Sequence, residues 1–175
     1  QGKLDTLANE RQAVIGMIEE IDKKKLDAFM NAFNAISKNF EEMSSSIFPW
    51  KARLVLENPK NPFEGGLNIS VANRVNALSG GEKALLSLTL LFAIHAYRPS
   101  SIYVFDEIDA ALDKENSKKL SQLIKELSKN AQFVVVSHND ATVLNADVAI
   151  GVVKNNGLSQ VVGIEISSVK PKAIA

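Results

Sequence analysis

Apolar residues between positions 4 and 43 recur at alternating steps of three and four, the spacing of a seam along one side of a helix. Leu4, Leu7, Val14, Ile18 and Ile21 keep one frame, with Arg11 falling in a seam position. Leu26, Phe29, Phe33, Ile36, Phe40 and Met43 keep another, displaced by one residue at Lys23-Lys24-Lys25. The stretch contains no proline and a single glycine, Gly16. As one helix it would run roughly 60 Å, at about 1.5 Å per residue, far past the width of a small domain. The second frame is expected to dock on its own domain. The first is expected to project as a coiled-coil arm, because nothing else in the chain is long enough to cover its stripe. Ser44-Ser45-Ser46 is expected to break the helix.

Beyond the serines the period shortens. Residues 53–57 and 67–71 read as the strands of a hairpin, joined through Asn58-Pro59-Lys60-Asn61-Pro62 and Gly65-Gly66. Helical and strand patterns then alternate: helix 82–97, strand 102–105, helix 114–129, strand 133–136. Short, uninterrupted apolar strands between helices are expected to run parallel with both faces covered. A short helix at 141–145, a strand at 148–153, the turn Asn155-Asn156-Gly157 and a strand at 159–166 follow, and the Asn-Gly step marks an antiparallel edge hairpin. The expected fold is therefore α/β: a largely parallel sheet flanked by helices, with an antiparallel edge hairpin and a long N-terminal helix. Residues 1–43 form the arm and neck and residues 44–175 the lobe.

Composition narrows the functional classes. With 175 residues and 46% hydrophobic content the chain can bury one sizeable core. Twenty basic and twenty acidic side chains cancel, so no global field favours nucleic acid or an anionic membrane, and a DNA contact would need a local patch. The absence of cysteine excludes disulfides, thiolate metal sites and cysteine nucleophiles, which suits a cytoplasmic protein. The apolar run 84–97 is interrupted by Ser87, Thr89 and His95 and is too short to span a bilayer, so no membrane segment is expected. The chain opens at Gln1 without a charged-then-apolar leader, as expected of a piece cut from something longer.

Candidate chemistry gathers at a helix start and two strand ends. Ser79-Gly80-Gly81-Glu82 precedes the apolar helix, so Ser79 can cap it while Glu82 reaches back in a capping box. Two glycines in a first turn cost stability, about 1 kcal/mol each against alanine, and make sense if something must approach the backbone. Bare N–H groups at the positive end of a helix bind anions, and the serine hydroxyl adds a donor for a phosphate oxygen. The strand Ile102-Tyr103-Val104-Phe105 ends in Asp106-Glu107, at the carboxyl edge where open α/β sheets bind ligands. There Asp106 can hold Mg2+ through its waters, and Glu107 can orient and deprotonate a water attacking a terminal phosphate. Asp113 is placed as the N-cap of the next helix. His138, after the strand at 133–136, could hydrogen-bond a terminal phosphate. Lys83 could offer charge to the same region but reads as solvated.

In order and detail these residues resemble the second half of an ABC-type ATPase domain. Asp106-Glu107-Ile108-Asp109-Ala110-Ala111-Leu112-Asp113 is similar to the structural maintenance of chromosomes (SMC) family, as are Asn61-Pro62-Phe63-Glu64-Gly65-Gly66-Leu67, Phe92-Ala93-Ile94-His95-Ala96-Tyr97-Arg98-Pro99 and the stretch from Ala146-Asp147 to Gly151-Val152. The resemblance implies the C-terminal lobe of an ABC-type ATPase head carrying the signature motif, Walker B carboxylates, D-loop and H-loop. It implies two heads sandwiching two ATP molecules. Ser79, Gly80, Gly81, Glu82 and Asp113 would serve the ATP across the dimer seam, with Ser79 and Gly81 touching its terminal phosphate, and Asp106, Glu107 and His138 would serve the ATP of their own head with Mg2+. It further implies a kleisin subunit, DNA in the assembled complex, and a nucleoid-associated cytoplasmic or nuclear location according to the type of cell. No Gly-x-x-x-x-Gly-Lys-Ser/Thr phosphate loop occurs in the chain, so an N-terminal half bearing that loop is expected as a partner and the chain alone is expected to be inactive. Two other readings remain: a coiled-coil scaffold whose head has lost catalysis, and the head of a related DNA-repair ATPase.

Overall fold

The computed structural model describes residues 2–72 and 78–165, with side chains placed for 9–72 and 78–163. A single 46-residue helix, α1 (Gly2–Ile47), opens the fold. It passes through the three serines instead of stopping at them. Ser44 Oγ donates to the Glu41 carbonyl at 3.2 Å and Ser46 Oγ to the Met43 carbonyl at 2.7 Å, so these hydroxyls are satisfied inside the helix. The end comes at Phe48-Pro49, where the proline ring disfavours a helical residue before it.

The two seam frames of α1 meet different fates. Phe40, Ser44 and Ile47 are buried, Phe33, Ile36 and Met43 pack on the core, and Asn39 Nδ2 donates to the Ala93 carbonyl at 3.3 Å. Toward the N-terminus, Val14, Met17, Ile18 and Ile21 all stand more than half exposed. Between the two, Phe29 lies 5.1 Å from the Phe63 ring, over which Lys25 Nζ sits at 4.1 Å.

Strands β1 (Ala52–Leu56) and β2 (Leu67–Val71) form the expected antiparallel hairpin, closed at Leu56 opposite Leu67. Ala52, Leu54 and Leu56 point into the core at the period of two. A 3-10 turn (Pro62–Glu64) lies in the connection, and the Glu57 carboxylate accepts from Gly66 N and Asn68 Nδ2 at its base. Helix α2 (Gly80–Tyr97) runs through the middle, burying Leu85, Leu86, Thr89, Phe92 and Ala93. Strand β3 (Ile102–Asp106), helix α3 (Lys114–Leu127), strand β4 (Gln132–Val136) and the one-and-a-half-turn helix α4 (Asp140–Asn145) follow. The last strands, β5 (Val148–Asn155) and β6 (Leu158–Glu165), join through Asn156 and Gly157, whose φ values of 49° and 86° fit the left-handed two-residue turn that an Asn-Gly step favours. Ile166, expected in β6, lies outside the described residues.

Two further expectations are corrected. Among the described residues the strands form three two-stranded sheets, not one largely parallel sheet; only β3 and β4 are parallel. Nor is that pair covered on both faces. Phe105, Phe133 and Val135 pack on the core formed with α2 and α3, Tyr103 lies 5.2 Å from the His95 ring of α2, and Phe92 is edge-on to Phe105 at 5.5 Å. On the opposite face Ile102, Val104, Val134 and Val136 are between 42% and 68% exposed, because no described element of this chain reaches them. The β5–β6 hairpin is similarly open, with Ile150, Val152, Leu158 and Val161 well exposed.

Candidate functional site

The parallel register of β3 and β4 puts Asp106 opposite Val136, so the chain leaves both strands at the same sheet edge. The loop carrying Glu107 and the loop carrying Ser137-His138 are therefore neighbours. Glu107 N donates to the Val136 carbonyl at 2.9 Å, and Glu107 itself adopts φ 49°, a left-handed backbone costly for a non-glycine residue. That geometry throws the Glu107 side chain toward His138, whose Nε2 lies 2.9 Å from Glu107 Oε1. The two side chains are 52% and 88% exposed, open to a ligand. Asp106 is exposed at the strand terminus.

The same edge holds a buried carboxylate. Asp109, only 6% exposed, accepts through Oδ2 from Ser137 Oγ at 2.6 Å and from Thr142 Oγ1 at 2.8 Å. Ser137 Oγ in turn accepts from Asn139 N at 2.9 Å, and the Asn139 side chain caps α4 by accepting from Ala141 N at 3.0 Å. The sequence offered no period or motif that would single out this network, since its members are 28 and 33 residues apart.

At the second locus the capping box forms as the sequence predicts. Glu82 N donates to Ser79 Oγ at 3.2 Å, and Ser79 N donates to Glu82 Oε2 at 2.9 Å. The Glu82 carboxylate is thus engaged by the helix, while the Ser79 hydroxyl hydrogen is left to donate elsewhere. The two glycines differ. A Cβ on Gly80 would meet nothing within 4 Å, whereas one on Gly81 would come 2.9 Å from Asn116 Nδ2 and 3.1 Å from Asp113 Oδ2. Gly81 is small for an intrachain reason: the start of α2 abuts the N-terminus of α3. There Asp113 is the N-cap, its two oxygens accepting from Asn116 N and Asn116 Nδ2, both at 2.8 Å. Asn116 was missed in the sequence, although asparagine three residues after a capping aspartate was the available signal.

The structure thus joins Asp106, Glu107 and His138 at one edge, and Ser79 to Glu82 with Asp113 at another. Among the described residues no group of three His, Asp or Glu side chains forms a cation cage. One exposed carboxylate is a donor set that fits Mg2+, which keeps most of its waters and takes one or two carboxylates along with phosphate oxygens. No described helix is long and apolar enough to cross a membrane.

Comparison with known proteins extends the picture over nearly the whole chain. The profile of the RecF/RecN/SMC N terminal domain family matches residues 8–160. The chromosome partition protein Smc of Pyrococcus furiosus is 44% identical over 173 residues, covering 95% of this chain and 15% of that protein. The chain therefore spans about one-seventh of the length of that relative. The Smc head domain of Pyrococcus furiosus with an extended coiled coil, solved bound to the C-terminal domain of ScpA, superposes with a TM-score of 0.82 at 44% identity, covering 96% of this chain and 44% of that one. A second structure, from work on ATP-driven dimerization and DNA-stimulated activation of SMC ATPases, gives a TM-score of 0.71 at 44% identity, covering 82% of this chain and 91% of that one. Since the matched region runs from α1 through the loops that carry Glu107 and His138, the chain belongs to the RecF/RecN/SMC family and has the fold of part of an SMC head domain.

Proposed function

We propose that this chain is the C-terminal half of the ATPase head of an SMC chromosome partition protein, with residues 1–43 the arm and 44–175 the lobe. The family description names an N-terminal domain, but the chain holds the capped signature helix and the strand-end carboxylates and lacks a phosphate loop. Two further observations support the assignment. The chain spans 44% of the Pyrococcus furiosus head structure, and one face of β3–β4 stands bare, as it would if the rest of a head covered it.

The observation that carries the reading is the Glu107 to His138 contact of 2.9 Å at the joined ends of β3 and β4. In the assembled head Glu107 orients a water and takes its proton, and the His138 Nε2–H that meets Glu107 is the one hydrogen of a neutral imidazole, shared between Glu107 and the terminal phosphate. Asp106 would hold Mg2+, which when bound would offset the negative charge of the phosphates. Ser79, Gly80 and Gly81 offer a hydroxyl and bare helix N–H groups to the ATP of a second head, with Glu82 keeping that turn formed and Asp113 beside it. The partners are the N-terminal half with its phosphate loop, the second head, DNA, and a kleisin, as the Pyrococcus furiosus head binds the C-terminal domain of ScpA. The site of action is the nucleoid in a prokaryote or the nucleus in a eukaryote, away from membranes.

Mixing the chain with its N-terminal half should restore ATP turnover, and Glu107→Gln should lower it by about 100-fold or more while ATP-bound head dimers accumulate. Efficient hydrolysis by the chain alone, or undiminished turnover by the glutamine variant, would sink the reading.

A further inference from the structure

Glu107 and His138 meet from separate loops, and something must hold those loops in register. Glu107 is exposed and sits in a strained left-handed conformation, which persists only where the surroundings over-determine it. His138 is more exposed still, so packing does not fix its ring. What links the two loops on the inner side is Asp109. It lies two residues after Glu107 and takes the hydroxyl of Ser137, the residue directly before His138. The same oxygen takes the hydroxyl of Thr142 in α4, and the Ser137 hydroxyl takes Asn139 N directly after His138. His138 is therefore gripped on both sides by a chain of hydrogen bonds that ends on one buried carboxylate. A buried carboxylate is costly unless its lone pairs are used, and bonds to an ionised oxygen are shorter and stronger than neutral ones.

We propose that Asp109 is a positioning residue that locks the His138 loop to the Glu107 loop, setting the contact between the two side chains from beneath without itself touching a ligand. The inference rests on the proposed ATPase role only for its consequence on turnover. The contact itself can be followed independently. The chain carries two histidines, His95 and His138, so histidine labelling of this chain alone, paired with an unlabelled N-terminal half, gives two sets of imidazole resonances in the assembled head.

The experiment compares wild type with Asp109→Ala, Asp109→Asn and Ser137→Ala, using Glu107→Ala as the reference for a His138 that has lost its partner. Asp109→Ala and Ser137→Ala should move the His138 resonances toward the reference and leave those of His95 in place. Asp109→Asn, which keeps the shape and one accepting oxygen, should stay near wild type. Turnover should fall about tenfold in the two disruptive variants with KM for ATP within about twofold, and the asparagine variant should recover most of it. Should Asp109→Ala fail to fold, Ser137→Ala alone decides, since it cuts the tie to the His138 loop while leaving Thr142 on the carboxylate. His138 resonances and kcat both unchanged in Ser137→Ala would overturn the proposal. If Glu107→Gln leaves turnover intact but the resonances shift as expected, the ATPase reading fails and the positioning role stands.

Discussion

The two faces of the β3–β4 pair differ in chemistry as well as in exposure. Toward α2 and α3 the strands present Tyr103, Phe105, Phe133 and Val135; the rings of Tyr103 and Phe133 stack at 4.9 Å, and Phe92 closes edge-on against Phe105. Away from the helices they present Ile102, Val104, Val134 and Val136, aliphatic, β-branched and largely exposed. Parallel strands ordinarily have both faces covered. The aromatic face is finished by the chain's own helices, and the aliphatic face is left open by every described element. The catalytic candidates sit at the edge between them, so one side of the site rests on a packed core and the other on an open apolar face, which the proposed N-terminal half would cover.

The sharpest way to break this contrast is to damage the finished face. Phe92 is buried at the centre of α2 against Phe105 and Phe133, and Phe92→Ala should cost about 3–5 kcal/mol, a large share of the stability of a domain this size. Chemical denaturation should show a transition moved far to lower denaturant or lost. A loss below about 1 kcal/mol would mean that the aromatic face is not the core.

Damage to the bare face should read out elsewhere. Val104→Lys should leave the melting of the isolated chain within about 0.5 kcal/mol of wild type, as expected of an exposed side chain. Association with the N-terminal half, measured by calorimetry, should weaken by about 100-fold, because the lysine would enter the interface as an unpaired charge. Equal association of both proteins would remove the bare face from the interface.

Much of this was legible in the residues because it is local. A capping box needs two positions three apart, an Asn-Gly turn needs two adjacent ones, and strand ends are marked by where apolar runs meet carboxylates. Ser79 with Glu82, Asn156 with Gly157, and Asp106-Glu107 were readable for that reason. The errors came where a local rule met tertiary context. Serines disfavour helix interiors, yet Ser44 is buried in α1 because packing below it and its bond to Glu41 outweigh propensity. The apolar pattern of β3 and β4 is that of fully covered strands, yet one face is open among the described residues, because a pattern records that a surface is apolar and not what covers it. The Asp109 network and the fit of Gly81 against Asn116 depend on contacts across distant segments, which periodicity does not encode.

The smallest effects separate the two signature glycines, and with them a packed surface from an open one. Gly81→Ala should destabilise the chain by about 1 kcal/mol, since the new methyl would push into the Asp113 to Asn116 bond that caps α3. Gly80→Ala has open space around it and should instead be neutral or stabilise the isolated chain by a few tenths of a kcal/mol, through a less flexible unfolded state. If stability were the whole purpose of Gly80, alanine would serve as well. The proposed function gives a different reason, that a phosphate from the second head must reach the bare N–H groups at the start of α2. Gly80→Ala should therefore melt no lower than wild type yet weaken ATP-dependent head dimerisation, measured by sedimentation velocity with the Glu107→Gln background holding ATP in place. Unchanged dimerisation in that variant would show that the open space at Gly80 is merely unused, and would leave the helix start a capped end with no ligand.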